Sequence, residues 1–257
     1  MKLEGKVVVV TGAARGIGRA MAERFHAERP KALVVADLDA AGAAAVAQPL
    51  KALAVGCDVS SENSIASLIA RTEAELGPID LFCSNAGTGS GLGLDAPDEK
   101  WQQLWQLNVM SQVWAARHLV PKMLSRGGGY LLNTASAAGL LSMVGDAPYS
   151  VSKHASVAFS EWLSITYGQQ GLKVSCLCPL FVNTDLLKGA LRLAGGRTVV
   201  QTGVVLEPTQ VAQAVVEALD AERFLILPHP EVATYVQNKA NDPERWLKSM
   251  RKLWAAR

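Results

Sequence analysis

The sequence predicts an α/β protein built on a doubly wound parallel sheet, and three observations point there. Apolar runs rich in β-branched residues alternate with helical patterns along the chain, as strands joined by crossover helices do. The first run is almost continuously apolar, which marks a strand covered on both faces. It leads directly into a glycine-rich turn and a helix, through Thr11-Gly12-Ala13-Ala14-Arg15-Gly16-Ile17-Gly18. No composition shift, repeat or linker interrupts the 257 residues, so 1–257 reads as one domain.

Composition narrows the function. Hydrophobic residues make up 49% of the chain, enough for a sizeable core. A net charge of +2, with its 25 basic residues scattered, argues against a nucleic-acid partner. The N-terminal apolar segment begins a strand rather than a leader, and no run of about 18 apolar residues appears, so no membrane partner and a cytoplasmic location are expected. Cys57, Cys83, Cys176 and Cys178 lie in strand-like runs without CxxC spacing, and His26, His118, His154 and His229 form no ligand pattern. Buried free thiols, no metal and no role for any histidine are the expectation.

Residues 6–10 form the first strand and residues 19–28 the first helix. The glycines between them, spaced GxxxGxG, allow a tight turn and close backbone approach to a pyrophosphate, while the helix N-terminus offers free N–H groups. Pro30 breaks the helix, and a second strand over residues 32–36 ends at Asp37. An acidic residue about 20 positions beyond the glycine turn is where ribose hydroxyls are bound, and its charge repels a 2′-phosphate. Position 38 is leucine rather than a phosphate-welcoming arginine. Arg15 is the dissenting residue, since a basic side chain in the loop can contact a 2′-phosphate. Asp37 carries more weight, and NAD(H) is expected over NADP(H).

A helix over residues 40–48 and a strand over 52–57 lead to Asp58-Val59. A helix over 62–75 follows, capped by Ser60 or Ser61. After Gly77-Pro78 comes a strand over 79–83, then Ser84-Asn85-Ala86-Gly87 and a glycine-rich loop over 88–93. The helical segment 97–125 carries Asn108 in mid-helix, where asparagine has poor propensity; a solvent-facing side chain is the plain alternative. Three glycines at 127–129 precede a strand over 130–134 that leads to Ser136.

The stretch from Ser136 to Lys153 is the most informative. Tyr149 and Lys153 stand four residues apart in a helix read from about 147 to 170, so both can face one pocket. A free tyrosine titrates near about 10. A lysine cation beside it favours phenolate and is expected to lower that pKa, as proton transfer to or from a substrate oxygen requires. Ser136 can bring a hydroxyl donor to the same oxygen. A strand over 173–178 and Pro179-Leu180-Phe181-Val182-Asn183-Thr184 follow.

Taken together, TGAARGIG at 11–18, Asp58-Val59, SNAG at 84–87, Asn108, Ser136, YSVSK at 149–153 and PLFVNT at 179–184 resemble the short-chain dehydrogenase/reductase family. The resemblance spans about residues 6–227 and implies a Rossmann-type fold. It also implies that Tyr149 is the general acid/base, that Ser136 orients the reacting oxygen, and that Lys153 binds nicotinamide ribose and lowers the Tyr149 pKa. Asn108 would distort its helix and hold a water linking Lys153 to solvent. Gly12, Arg15, Gly16, Ile17 and Gly18 would surround the pyrophosphate, and Asp37, with Leu38 next to it, the adenosine ribose. Asp58 and Val59 would flank adenine, Asn85, Ala86 and Gly87 would line the cleft, and Pro179, Val182 and Thr184 would border the carboxamide. Two positions depart from the pattern: Leu180-Phe181 follow Pro179 where glycine is common, and Ser84 replaces a frequent asparagine. The first adds apolar bulk beside the substrate pocket.

The same resemblance makes residues 185–206 a substrate lid, read here as a helix over 186–193, Gly195-Gly196 and an apolar run over 198–206. Leu186, Leu187, Leu191 and Val199 would close over a substrate or pack on the core. Lys188, Arg192 and Arg197 form no anion-clamping cluster. A helix over 208–221 and a strand over 224–227 precede a helical tail, 231–255, interrupted before Pro243. In the tail Trp246, Met250 and Leu253 make an apolar stripe beside Trp254, to be buried against the domain's own surface, against a second subunit or as a wall of the substrate cleft. The stripe and the resemblance suggest a homodimer or homotetramer. The expected function is NAD-dependent hydride transfer to or from an apolar secondary alcohol or ketone, a small-molecule substrate. The alternatives are a 3-oxoacyl-thioester reductase using NADPH and, remotely, a non-catalytic dinucleotide-binding sensor.

Overall fold

The computed structural model describes residues 1–191 and 203–255. Its main sheet holds β1 (Val7–Thr11), β2 (Ala32–Asp37), β3 (Leu53–Gly56), β4 (Leu81–Ser84), β5 (Gly129–Thr134), β6 (Leu172–Leu177) and, last in the sheet, β9 (Leu225–Ile226). The order is β3-β2-β1-β4-β5-β6-β9, with every neighbouring pair parallel. A separate parallel pair joins β7 (Phe181–Val182) to β8 (Val205–Leu206). The crossovers are α1 (Gly16–His26), α2 (Ala40–Leu50), α3 (Glu62–Leu76), α4 (Asp98–Trp105), α5 (Ser111–Ser125), α6 (Ala147–Tyr167), α7 (Asp185–Ala190) and α8 (Pro208–Asp220). The tail forms α9 (Glu231–Asn241) and α10 (Pro243–Ala255). Among the described residues no helix is long and apolar enough to cross a membrane.

The apolar runs are continuous because both faces of each central strand are covered. Successive side chains point to opposite faces. Val8, Val10, Leu33 and Val35 pack with Met21, Phe25, Val46, Val211 and Val215 of α1, α2 and α8. Val7, Val9 and Val34 pack with Ile65 and Leu68 of α3, Leu119 of α5 and Leu163 of α6. A fully buried valine contributes about 1.5–3 kcal/mol of transfer free energy, so a polar residue on either face of β1 would forfeit that and add an unpaired group.

Several boundaries differ from the sequence reading. Helix α1 begins at Gly16 rather than 19, because the glycine turn runs straight into the first helical turn after an extended Arg15. The strand expected over 224–227 reduces to the two residues of β9, where pairing with β6 covers Cys176 and Leu177 alone. Helix α7 ends at Ala190, short of the expected 193, and Arg192, Gly195, Gly196, Arg197, Thr198 and Val199 lie outside the described residues. The tail break falls at Asp242, as Pro243 dictates.

The sheet sets the site. Strand direction of travel reverses between β1, which leads outward to β2, and β4, which leads the other way. Loops leaving the carboxyl ends there diverge and open a crevice, the place where such sheets bind ligands.

Candidate active site

At that end lies a cleft of about 1460 Å³. Its floor is set by the first turns of α6. Asp146 caps this helix, its Oδ1 accepting from the Tyr149 amide at 3.1 Å, with Pro148 in the first turn. The cap fixes where the helix begins and therefore where Tyr149 and Lys153 point. Lys153 is 3% exposed, donates from Nζ to the Thr134 carbonyl at 2.9 Å, and lies 5.7 Å from the centre of the Tyr149 ring. Ser136 leaves the end of β5; its Oγ accepts from the Ala138 amide at 3.1 Å, reaches the Pro179 carbonyl at 3.4 Å and hydrogen-bonds the Tyr149 phenol.

Asn108 is wholly buried, so the solvent-facing alternative is wrong. It sits in a π-helical stretch, Gln106–Met110, that interrupts the α4–α5 helix, matching the local distortion that the resemblance implies. Its Oδ1 accepts from the Thr88 amide at 3.1 Å, and its Nδ2 donates to the Thr88 carbonyl and to Ser152 Oγ, each at 3.0 Å. A Cβ on Gly87 would lie 3.0 Å from Asn108 Oδ1 and 3.2 Å from Lys153 Nζ. Asn108, Gly87 and Lys153 are therefore packed against one another.

One electrostatic expectation needs correction. The net shift runs opposite to the expected lowering: burial pushes the phenol up to about 12, against a lowering hydrogen bond from Ser136 and with further raising by the Asp146 charge and by Cys178. Burial also brings Lys153 down to about 8. Taking either group out of water penalises its charged form, which raises the phenol and lowers the ammonium.

The nucleotide half of the cleft is built from the glycine turn. Gly12 has φ +62° and a Cβ there would meet Ala86 Cα at 2.7 Å; Gly16 has φ +55° and a Cβ there would meet Thr184 Cγ2 at 3.3 Å. Side chains would fill this cradle, so bare backbone N–H groups front the cleft, as a dinucleotide diphosphate requires. Asn85 ties the cradle down, donating from Nδ2 to the carbonyls of Thr11 and Gly12 at 3.0 and 3.2 Å. Asp37 stands at the end of β2, accepting from the amides of Ala14 and Asp39 at 2.9 and 3.0 Å, with Leu38 exposed beside it. Arg15, Ile17, Asp58, Val59, Ala86, Gly87, Pro179, Val182 and Thr184 complete the wall.

Of the residues singled out from sequence, Gly18 and Asn108 do not line the cleft. Gly18 lies behind it, where a Cβ would fall 2.1 Å from the Gly12 carbonyl oxygen, and Asn108 lies behind Thr88 and Lys153. Trp246, Met250 and Leu253 face the cleft. Trp254 approaches Gly145, where a Cβ would meet its ring at 3.2 Å. Sequence reading missed Asp146, whose Asp-Ala-Pro context is a helix-start signal. It also missed His229, for which no sequence signal exists. All four cysteines are buried free thiols, and the Sγ atoms of Cys176 and Cys178 are 3.7 Å apart.

Fold and site together define a dinucleotide-type α/β protein with a half-buried tyrosine and a buried lysine on the cleft floor. Residues 6–192 match the family model described as short chain dehydrogenase. The 1-deoxy-11-beta-hydroxypentalenate dehydrogenase of Streptomyces exfoliatus is 33% identical over 94% of this chain and 90% of its own. A short chain dehydrogenase/reductase from Burkholderia phymatum, solved in complex with NAD, is 31% identical with a TM-score of 0.85, covering 95% of this chain and 96% of that one. L-sorbose reductase from Gluconobacter frateurii, complexed with NADPH and L-sorbose, is 29% identical with a TM-score of 0.80 over 88% and 97%. The chain belongs to the short chain dehydrogenase family: it is an oxidoreductase of hydroxyl or keto groups, in a family that uses a nicotinamide cofactor.

Proposed function

We propose that the protein is an NAD-dependent dehydrogenase or reductase that interconverts a secondary alcohol and a ketone of apolar body. One observation carries this reading: Tyr149, bonded to Ser136 and backed by Lys153, stands on the floor of the cleft whose far end is closed by Asp37. The cradle at Gly12 and Gly16 would hold the diphosphate, Asp37 the adenosine ribose, Asp58 and Val59 the adenine, and Val182 and Thr184 the carboxamide. When bound, the nicotinamide supplies or accepts the hydride.

The chain's own residues manage the oxygen. Ser136 Oγ and the Tyr149 phenol hydrogen-bond the substrate oxygen from one side, which orients its carbon. In reduction Tyr149 gives its proton to that oxygen; in oxidation it takes the proton back. With a pKa of about 12 the resting phenol is protonated at neutral pH, ready to donate. Lys153, lowered to about 8, is the adjacent group able to return a proton, and Asn108 braces it through Gly87. Apolar side chains of Leu180, Phe181, Leu186, Trp246 and Met250 line the remaining space, which supports a bulky apolar substrate. Residues 185–206 would act as the lid of a single catalytic domain.

The protein would work as a homodimer or homotetramer. The tail stripe faces the cleft, so the contact moves to α6, whose Val151, Trp162 and Ile165 are exposed on its outer side. Sedimentation at micromolar concentration should give a dimer or larger, and a monomer refutes this part.

The deciding experiment is a cofactor-pair assay over hydrophobic secondary alcohols and their ketones, followed at the reduced-nicotinamide absorbance. NAD-linked turnover supports the proposal. Turnover with NADP alone, together with activity on acetoacetyl thioesters, would replace it with a thioester reductase.

A further inference from the structure

We propose that His229 is a positioning residue for hydride transfer: its imidazole clamps the main chain of Leu180 and Phe181, setting the cleft wall beside Ser136 and coupling the C-terminal helices to it. This rests on the oxidoreductase reading above, but the histidine touches neither reacting group.

The ring is 1% exposed, and both nitrogens are spoken for. Nδ1 accepts from the Leu180 amide at 3.1 Å, and Nε2 lies 3.0 Å from the Phe181 carbonyl. An N–H donor at Nδ1 leaves a lone pair there, so the proton sits on Nε2 and is given to Phe181. The Pro179–Leu180 peptide whose N–H meets the ring is held at its other end too: the Pro179 carbonyl accepts from the Ala137 amide at 2.8 Å and from Ser136 Oγ at 3.4 Å. One segment of main chain is thus fixed alternately by the Ser136 turn and by His229. It is the segment where Leu180, followed by Phe181, stands where the resemblance puts a glycine, so its path must be set by something other than a tight glycine turn.

His229 lies between Pro228 and Pro230, two residues with fixed φ, and its carbonyl accepts from the Val232 amide at 3.1 Å. Val232 is fully buried in a cluster with Ala137, Leu141, Leu180 and Trp246. His229, through its ring on one side and its carbonyl on the other, therefore joins the root of α9 to the residues flanking Ser136. A histidine that only filled core space would need neither pair of bonds.

Only the neutral ring can accept and donate at once; the imidazolium would present a second N–H to the Leu180 amide. Burial holds the pKa below 6.5, partly offset by the Phe181 carbonyl, the Glu231 charge and a Val204 backbone contact. Glu231 is the charged group acting on it among those described. The folded pKa lies below the unfolded one, so the clamp is intact above pH 6.5 and is lost as pH falls through the lowered pKa.

The test compares wild type with His229→Gln and His229→Asn, each able to make one of the two bonds. Melting temperature, NADH fluorescence titration and kcat/KM for trans-1-decalone reduction are measured from pH 5 to 9. The expected result is a folded variant with kcat/KM down about 10- to 100-fold, the cost of a displacement near 1 Å. The wild-type acid limb should also disappear or move in both variants. A lowered melting temperature with unchanged kcat/KM per folded molecule and an unchanged acid limb would overturn the proposal. If decalone is not turned over, the pH dependence of NADH affinity decides: an acid limb lost in the variants supports the clamp, and one retained overturns it. Failure of wild type to bind NADH at all would instead sink the underlying NAD-dependent reading.

Discussion

The carboxylate of Asp146 accepts both the amide and the hydroxyl of Ser90, at 2.8 and 2.6 Å, while capping the helix that carries Tyr149. It also accepts from the Gly91 amide at 2.6 Å. One buried anion thereby joins the loop after β4 to the first turn of α6, and a Cβ on Gly89 would touch Asp146, Leu186 and Tyr149 together.

Replacing Asp146 therefore has two separable effects. Asp146→Asn removes the negative charge that raises the Tyr149 pKa, so phenolate becomes easier to form and the rising limb of alcohol oxidation should move to lower pH. Asp146→Ala also removes the cap and the loop anchor, and should cost about 1 kcal/mol or more in stability. Initial-rate pH profiles and thermal melts separate the two; an unmoved limb in the Asn variant means the charge does not reach the phenol.

Tyr149→Phe should abolish turnover by about 10²- to 10⁴-fold, the usual worth of a placed acid or base. NADH binding, read by fluorescence, should survive within a few-fold. Retained turnover would remove Tyr149 from the chemistry.

Gly87→Ala tests the packing behind the floor. Its backbone is not in the left-handed region, so the added methyl acts through space alone, against Asn108 Oδ1 and Lys153 Nζ at 3.0 and 3.2 Å. We expect kcat to fall about 10- to 100-fold with the fold intact. Wild-type kcat in this variant would show that Lys153 tolerates displacement.

Cofactor choice is tested at the end of β2. Asp37→Ala combined with Leu38→Arg removes a carboxylate that would repel a 2′-phosphate and supplies a guanidinium at an exposed site. The NADP-to-NAD ratio of kcat/KM should rise at least tenfold, equivalent to about 1.4 kcal/mol. No change would transfer the selection to Arg15.

The sequence by itself determined the alternation of strands and helices, the glycine cradle, Asp37 and the Tyr149–Lys153 spacing. These were legible because each rests on local rules: two-sided strand burial, positive φ at Gly12 and Gly16, and the i, i+4 geometry of one helix. Tertiary structure alone decided the electrostatics and the supports. The Tyr149 pKa rises through burial, the Asp146 charge and Cys178, which no spacing along α6 reveals. Asn108 is braced by Thr88 and Ser152, and the Leu180–Phe181 wall is held by a histidine about fifty residues away. The tail stripe needed a neighbour, and only packing puts Trp246, Met250 and Leu253 on the cleft wall, because an amphipathic helix specifies that one face be buried and not against what.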